Sequence, residues 1–258
     1  MLDEPFVIRS DVGGVATLRL NRPKQFNALG SEMLAELQAQ LDGIRASEAV
    51  RVVVIAAEGR AFCAGHDLKE LQAHPDKAYY DALFARCSAM MLTINNMPQP
   101  VIARVQGIAT AAGCQLVAQC DLAVAADTAE FATSGIRYGL FCSTPAVPVS
   151  RNVNRKHAFE MLITGDFISA QEAAREGLIN KAVPVETLDD EVARLCAAIV
   201  RRPQVAVATG KGMFYKQLEM GIAPAYAFAG EAMACNLIHA DAQEGVLAFT
   251  EKRAPVWG

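Results

Sequence analysis

The sequence predicts an α/β protein. Apolar runs of strand length alternate with helical stretches through the first half, the strand-to-helix junctions are rich in Gly and Ala, and the last third reads as helix almost throughout. Residues 15–20, VATLRL, alternate apolar and polar side chains, the period of a half-buried strand, and end in a turn at Asn21-Arg22-Pro23. Ser31 stands where it can cap a helix whose apolar Leu34, Leu37, Leu41 and Ile44 recur at helical spacing. Residues 51–57, RVVVIAA, form the continuous apolar run of a strand covered on both faces, and the glycine-containing loop 58–67 follows it.

A helical stretch around 82–97 stops at Pro98-Gln99-Pro100, and the apolar strand 101–105 leads into GIATAAGCQLVAQCD at 107–121. Residues 122–126 and 131–133 read as further short strands. From Val147 onward the pattern is helical: Ser169 and Glu172 have the spacing of a capping box closed by Gly177. Thr187 opens a helix that runs to Arg201 and stops at Pro203, and three more helical stretches fill 204–252. Asp121, after a helix and before a strand, is placed to hold backbone N–H groups.

Composition excludes several classes of function. The 258 residues carry a net charge of -4 and a pI near 5.6, with no basic stripe for nucleic acid or an anionic membrane. The apolar stretch 101–126 is interrupted by Arg104, Gln106, Gln115, Gln119 and Asp121, so it reads as buried core. The opening MLDEPFVIRSD lacks a basic region followed by an apolar run, which gives an expectation of cytoplasmic residence. Seven scattered cysteines without a CxxC pair, and four separated histidines, point to reduced thiols and no structural metal.

Two loops share one chemical character. Cys63-Ala-Gly-His-Asp67 and Gly107 to Ala112 each follow an apolar strand, contain Gly and Ala, and enter a helix. Backbone N–H groups converging from two such loops form an oxyanion hole, which stabilises negative charge on a carbonyl oxygen. Tight strand-to-helix packing accounts for the same small residues, and composition leaves both open.

The blocks NRPKQFNAL (21–29), AFCAGHDLKEL (61–71) and GIATAAGCQLVAQCDLAVA (107–125), with the tail FTEKRAPVW (249–257), resemble in order and spacing the signatures of the crotonase, or enoyl-CoA hydratase/isomerase, superfamily. The resemblance covers essentially the whole chain. Residues 131–173 and GKGMFYKQL (210–218) are similar to the subgroup called enoyl-CoA hydratase domain-containing protein 3.

This resemblance implies a ββα spiral core over 1–200 and a helical trimerisation region over 201–258, assembling as a homotrimer or a hexamer of paired trimers. It implies a lyase of acyl-CoA metabolism that takes an acyl-CoA thioester, with no permanently bound cofactor and coenzyme A as part of the substrate. It further implies that the backbone N–H groups of His66 and Ala112 face the thioester oxygen. Ala112 stands where the family commonly has Gly, and its N–H serves if no positive φ is needed there. Lys24, Ala28, Ala64, Asp67, Leu68, Lys69 and Gly113 match positions around the coenzyme A moiety.

The two glutamates with which the family's hydratases activate water correspond here to Gln115 and Gly135, and neither exchanges a proton near neutral pH. Ordinary hydration is therefore expected to be weak. The alternatives are decarboxylation or another enolate-forming reaction, with or without the His66 imidazole, and silent acyl-CoA binding. Cys63, Cys114 and Cys142 are expected to be wall residues of the pocket.

Overall fold

The computed structural model describes residues 4–258. The chain opens with a hairpin of β1 (Val7–Val12) and β2 (Val15–Leu20), crosses through α1 (Ser31–Arg45), and then repeats one unit. β3 (Val52–Ala57) passes to β4 (Ala61–Cys63) and returns through α2 (Leu68–Ala73) and α3 (Lys77–Asn96). β5 (Val101–Val105) passes to β6 (Ile108–Thr110) and α4 (Ala112–Gln119), and β7 (Leu122–Ala126) passes to β8 (Glu130–Ala132). There follow α5 (Ser143–Asn152), α6 (Arg155–Thr164), β9 (Ile168–Ser169), α7 (Ala170–Arg175), β10 (Lys181–Val183) and α8 (Leu188–Val200). The last helices are α9 (Gln204–Leu218), α10 (Ile222–Ile238) and α11 (Ala240–Thr250).

The first strand of each unit joins a six-stranded sheet in the order β1-β2-β3-β5-β7-β10, and the second joins a four-stranded sheet, β4-β6-β8-β9. Pairing is parallel from β2 to β10 and from β4 to β8, so every turn of chain adds one rung to both sheets at once. This is the α/β alternation that the apolar runs predict, wound into the spiral that the family resemblance implies. All six residues of β3 are buried. Val53 and Ile55 face the main core with α1, α3 and α4, while Val52 and Val54 face the smaller core under α8.

Two tertiary features correct or extend the sequence reading. Ser31 is the first residue of α1 rather than its cap; the cap position is Gly30, and a carboxylate from α2 serves the helix start instead. Asp121 does hold a backbone N–H, that of Val101 at 2.6 Å, but it also pairs with Lys211 at 2.7 Å. Lys211 is buried on α9 and donates to Ile94 O at 2.7 Å and Gln99 O at 2.9 Å as well, so its charge is fully engaged where an unpaired one would be costly. This pins the C-terminal helices to the spiral. α10, seventeen residues long, buries only Ala225, leaving Ile222, Tyr226, Met233 and Ile238 exposed. Among the described residues no helix is long and apolar enough to cross a membrane.

Candidate functional site

The loops entering α2 and α4 touch main chain to main chain. A Cβ on Gly65 would lie 2.9 Å from Ala111 Cβ and 3.3 Å from Ala112 N, and one on Gly113 would lie 2.1 Å from Cys63 O. Only glycine permits either approach. Ala111, just before α4, has φ 51° and ψ -120°, a left-handed conformation that costs an alanine about 1–3 kcal/mol. It is held by its own N–H to Ala132 O at 3.0 Å and by Gln115 N–H to its carbonyl at 3.0 Å. Strain therefore falls on Ala111, and Ala112 is ordinary helix, which is how an alanine replaces glycine there while keeping its N–H.

A second set of contacts registers 63–70 against 26–31. Ala64 N–H donates to Phe26 O at 3.0 Å, Leu29 N–H to Gly65 O at 2.7 Å, and His66 Nδ1 to Leu29 O at 3.0 Å. The backbone N–H groups of His66 and Ala112 find no acceptor among the described residues. Two free donors thus stand on adjoining loops, one of them at a helix start.

The His66 ring is defined by the same contacts. A carbonyl only accepts, so Nδ1 carries the proton, and Nε2 is left buried without a partner. Burial lowers the ring's pKa, opposed by the Leu29 carbonyl and by Glu70, so the imidazole is neutral at neutral pH. The ring packs on Phe84 with centroids 5.3 Å apart.

These groups open onto a cavity of about 190 Å³. One side is Ala64, His66, Leu68, Leu71, Phe84, Ala111 and Ala112; the other is Ser134, Gly135, Tyr138 and the run from Leu140 to Pro145. Among the described residues no Asp, Glu, Lys or Arg lines it. A larger cavity, about 640 Å³, lies between the other face of the six-stranded sheet and α8 and contains none of the candidate site residues.

On the far side, Gly135 sits in a 3-10 turn, Ser134–Tyr138. A Cβ there would lie 2.6 Å from Leu140 O and 2.7 Å from Cys142 Sγ, so the chain itself occupies the space a side chain would need. Gln115 is buried with Oε1 unpartnered, and it does not line the cavity. Cys142 does line it, whereas Cys63 and Cys114 lie behind. Burial pushes the Cys63 and Cys114 thiols up to about 12 and raises Cys142 too, so all three are thiols and not nucleophilic thiolates.

Of the positions matched to coenzyme A, Ala64 and Leu68 reach the cavity. Lys24 and Lys69 are exposed, Ala28 is half-buried, and Gly113 is buried against Cys63. The Asp67 carboxylate caps α2, accepting from Lys69 N at 2.8 Å and Glu70 N at 3.2 Å. Sequence reasoning missed Phe84, Leu71 and the buried Thr110–Ser134 hydroxyl pair, 2.7 Å apart. Of these only Ser134, next to Gly135, carried a positional clue. Among the described residues no group of His, Cys, Asp and Glu is arranged to hold a metal ion, and all seven cysteines are free.

A family model described as enoyl-CoA hydratase/isomerase matches residues 11–258. The enoyl-CoA hydratase domain-containing protein 3, mitochondrial, of Rattus norvegicus is 49% identical over 95% of this chain and 81% of that protein. The crystal structure of the human enoyl-CoA hydratase domain-containing protein 3 superposes with a TM-score of 0.96 at 46% identity, covering 98% of this chain and all (100%) of that one. An enoyl-CoA hydratase structure from Mycobacterium smegmatis superposes with a TM-score of 0.97 at 57% identity, covering 98% and 99% of the two chains. The expectation of cytoplasmic residence is overturned, because the rat, mouse, human and Xenopus laevis relatives, at 45% to 49% identity, are all named mitochondrial. A compartment address is read by a receptor from a separate signal, so the charge and hydropathy of a folded body do not report it.

Proposed function

The chain belongs to the enoyl-CoA hydratase/isomerase family, and from that premise we propose that it binds an acyl-CoA thioester, polarises the thioester carbonyl with the N–H groups of His66 and Ala112, and hydrates enoyl thioesters only weakly. The observation that carries this reading is two main-chain donors, unpartnered among the described residues, on a cavity that no described carboxylate lines. Each such donor is worth about 3–4 kcal/mol to an oxyanion-like transition state. General acid/base catalysis contributes about 10²–10⁴-fold, and here neither Gln115 nor Gly135 can supply it. The two carboxylates that follow His66 in the sequence are both engaged, Asp67 by the first turn of α2 and Glu70 by Ser31 and Tyr79.

The His66 ring favours a second reading, an enolate-forming reaction. With Nδ1 donating to Leu29 O, the neutral ring keeps Nε2 as an acceptor. In that reaction the α C–H bond breaks, the proton passes to Nε2, and the electron pair moves onto the thioester oxygen held by the two N–H groups. Decarboxylation is less favoured, since the wall offers no Lys or Arg to a second carboxylate on the acyl chain. The exposed apolar side chains of α9–α11 support self-association through 201–258, as a trimer or paired trimers, with 1–200 as the acyl-CoA-binding core; native mass spectrometry gives the count.

Three measurements on the purified protein test this: affinity for butyryl-CoA, deuterium uptake at its α carbon in D₂O, and hydration of crotonyl-CoA. Binding with slow hydration is the expected result, and α-deuteration adds the enolate. Brisk hydration overturns the proposal. Binding without deuteration or hydration leaves a silent binder.

A further inference from the structure

α2 is six residues long and none of them is buried, yet Leu68 and Leu71 on it form part of the cavity wall. Only Leu71 packs, partly buried, against the main core, so polar contacts carry much of the anchoring of this helix. Asp67 caps its first turn, and Tyr80 OH donates to Leu71 O at 3.2 Å. The third contact crosses to another element. The Glu70 carboxylate accepts the Ser31 N–H at 3.0 and 3.2 Å and the hydroxyls of Ser31 and Tyr79, and Arg86 Nη2 donates to Ser31 Oγ at 3.2 Å.

Glu70 thereby caps α1 from 39 residues away, at the end of the helix where a negative charge is favoured. Gly30, the cap position of α1, has no side chain to do this, and a Cβ on it would lie 2.4 Å from Glu70 Oε2. The empty place at Gly30 and the carboxylate that fills it belong together. Burial opposes ionisation of Glu70, but the hydrogen bonds from Ser31 and Tyr79, with Arg86 close by, outweigh it and hold the carboxyl below its usual range.

We propose that Glu70 is a positioning residue: its carboxylate latches α2 onto the start of α1, and so sets the Leu68 and Leu71 side of the cavity and the loop that presents the His66 N–H. The ligand consequence rests on the acyl-CoA reading above, whereas the latch itself has a readout that needs no ligand.

The test uses the full chain as Glu70→Gln, Glu70→Ala and Gly30→Ala. Gly30 has an ordinary extended backbone, so its alanine displaces the flexible Glu70 carboxylate rather than straining the main chain. By hydrogen–deuterium exchange, the α2 amides should exchange about tenfold faster or more in Gly30→Ala and Glu70→Ala, while the interior of α1 stays protected. Glu70→Gln, which keeps an acceptor oxygen for Ser31, should lie between them and the wild type. Gly30→Ala combined with Glu70→Ala should add nothing to Glu70→Ala alone, as expected of two changes to one contact. Calorimetry with butyryl-CoA and octanoyl-CoA should show the octanoyl-to-butyryl affinity ratio falling by about fourfold, the worth of one buried methylene. Unchanged α2 exchange in both Gly30→Ala and Glu70→Ala overturns the latch, and so does an unchanged chain-length ratio. If the wild type binds no acyl-CoA, the acyl-CoA reading fails and the exchange experiment alone decides the latch.

Discussion

The near side of the cavity, 63–71 with 111–115, and the far side, 134–145, use glycine for opposite ends. On the near side Gly65 and Gly113 let two stretches of main chain touch, and the free N–H groups of His66 and Ala112 follow from that contact. On the far side Gly135 leaves no opening, because Leu140 O and Cys142 Sγ fill the space where its side chain would begin. One side is a device made of backbone, and it tolerates Ala at 112. The other side, under the proposed reading, would need a side chain for proton chemistry, and Gly135 brings none. The proposed function thus assigns carbonyl polarisation to main chain on one side and leaves proton transfer without a group on the other.

The contact on the near side can be broken directly. Gly113→Ala places a Cβ against Cys63 O, and we expect a loss of about 3 kcal/mol or more in denaturant unfolding. A wild-type unfolding midpoint would mean that main-chain contact does not set this wall. Next in size is Gly135→Glu, which should cost about 1–3 kcal/mol because Leu140 and Cys142 must move aside. Gln115→Glu, nearly isosteric, tests the other half. Added together they should recover less crotonyl-CoA hydration than the roughly 10²–10⁴-fold of a working acid/base pair, and a full recovery would show the far side to be as adaptable as an ordinary loop.

His66 allows the comparison to be sharpened within a single residue. His66→Gln keeps the backbone donor and removes the imidazole. The spectral shift of a chromophoric enoyl-CoA on binding should persist, while α-deuteration falls by about 10²-fold. Loss of the shift would assign the polarisation to the side chain instead. The smallest effect is on stability with pH. Burial lowers the folded-state pKa of His66 below its unfolded value of about 6.5, so the unfolded chain binds more protons between the two values. The His66 contribution is complete above about pH 6.5 and is lost as pH falls from there towards the folded pKa. The difference in unfolding free energy between wild type and His66→Gln should therefore shrink or reverse from pH 7.5 to pH 5.5, and a pH-independent difference would contradict a buried neutral ring.

Much of the spiral was legible because strands and helices write short periods. The apolar run at β3 and the Leu34-Leu37-Leu41-Ile44 spacing of α1 appear in the structure where those patterns place them. The two loops could be read in the same local way, whereas the glutamates replaced by Gln115 and Gly135 came only from the family resemblance. The cap of α1 could not, since Ser31 is the stronger local candidate and the group that serves the helix start comes from Glu70. Lys211 gave no local sign of being buried, because its partners Asp121, Gln99 and Ile94 lie 90 to 117 residues away.

Short-range sequence order set the succession of elements and the two Ala- and Gly-bearing loops, properties of residues a few positions apart, and the family resemblance marked 115 and 135. Only the tertiary structure decided that strain rests on Ala111 rather than Ala112, that Gln115 lies off the cavity, and that Gly135 has no room for a side chain. The reason is one of range: periodicity and capping act over one or two turns of chain, whereas the space around an atom is set by whichever distant segments pack against it.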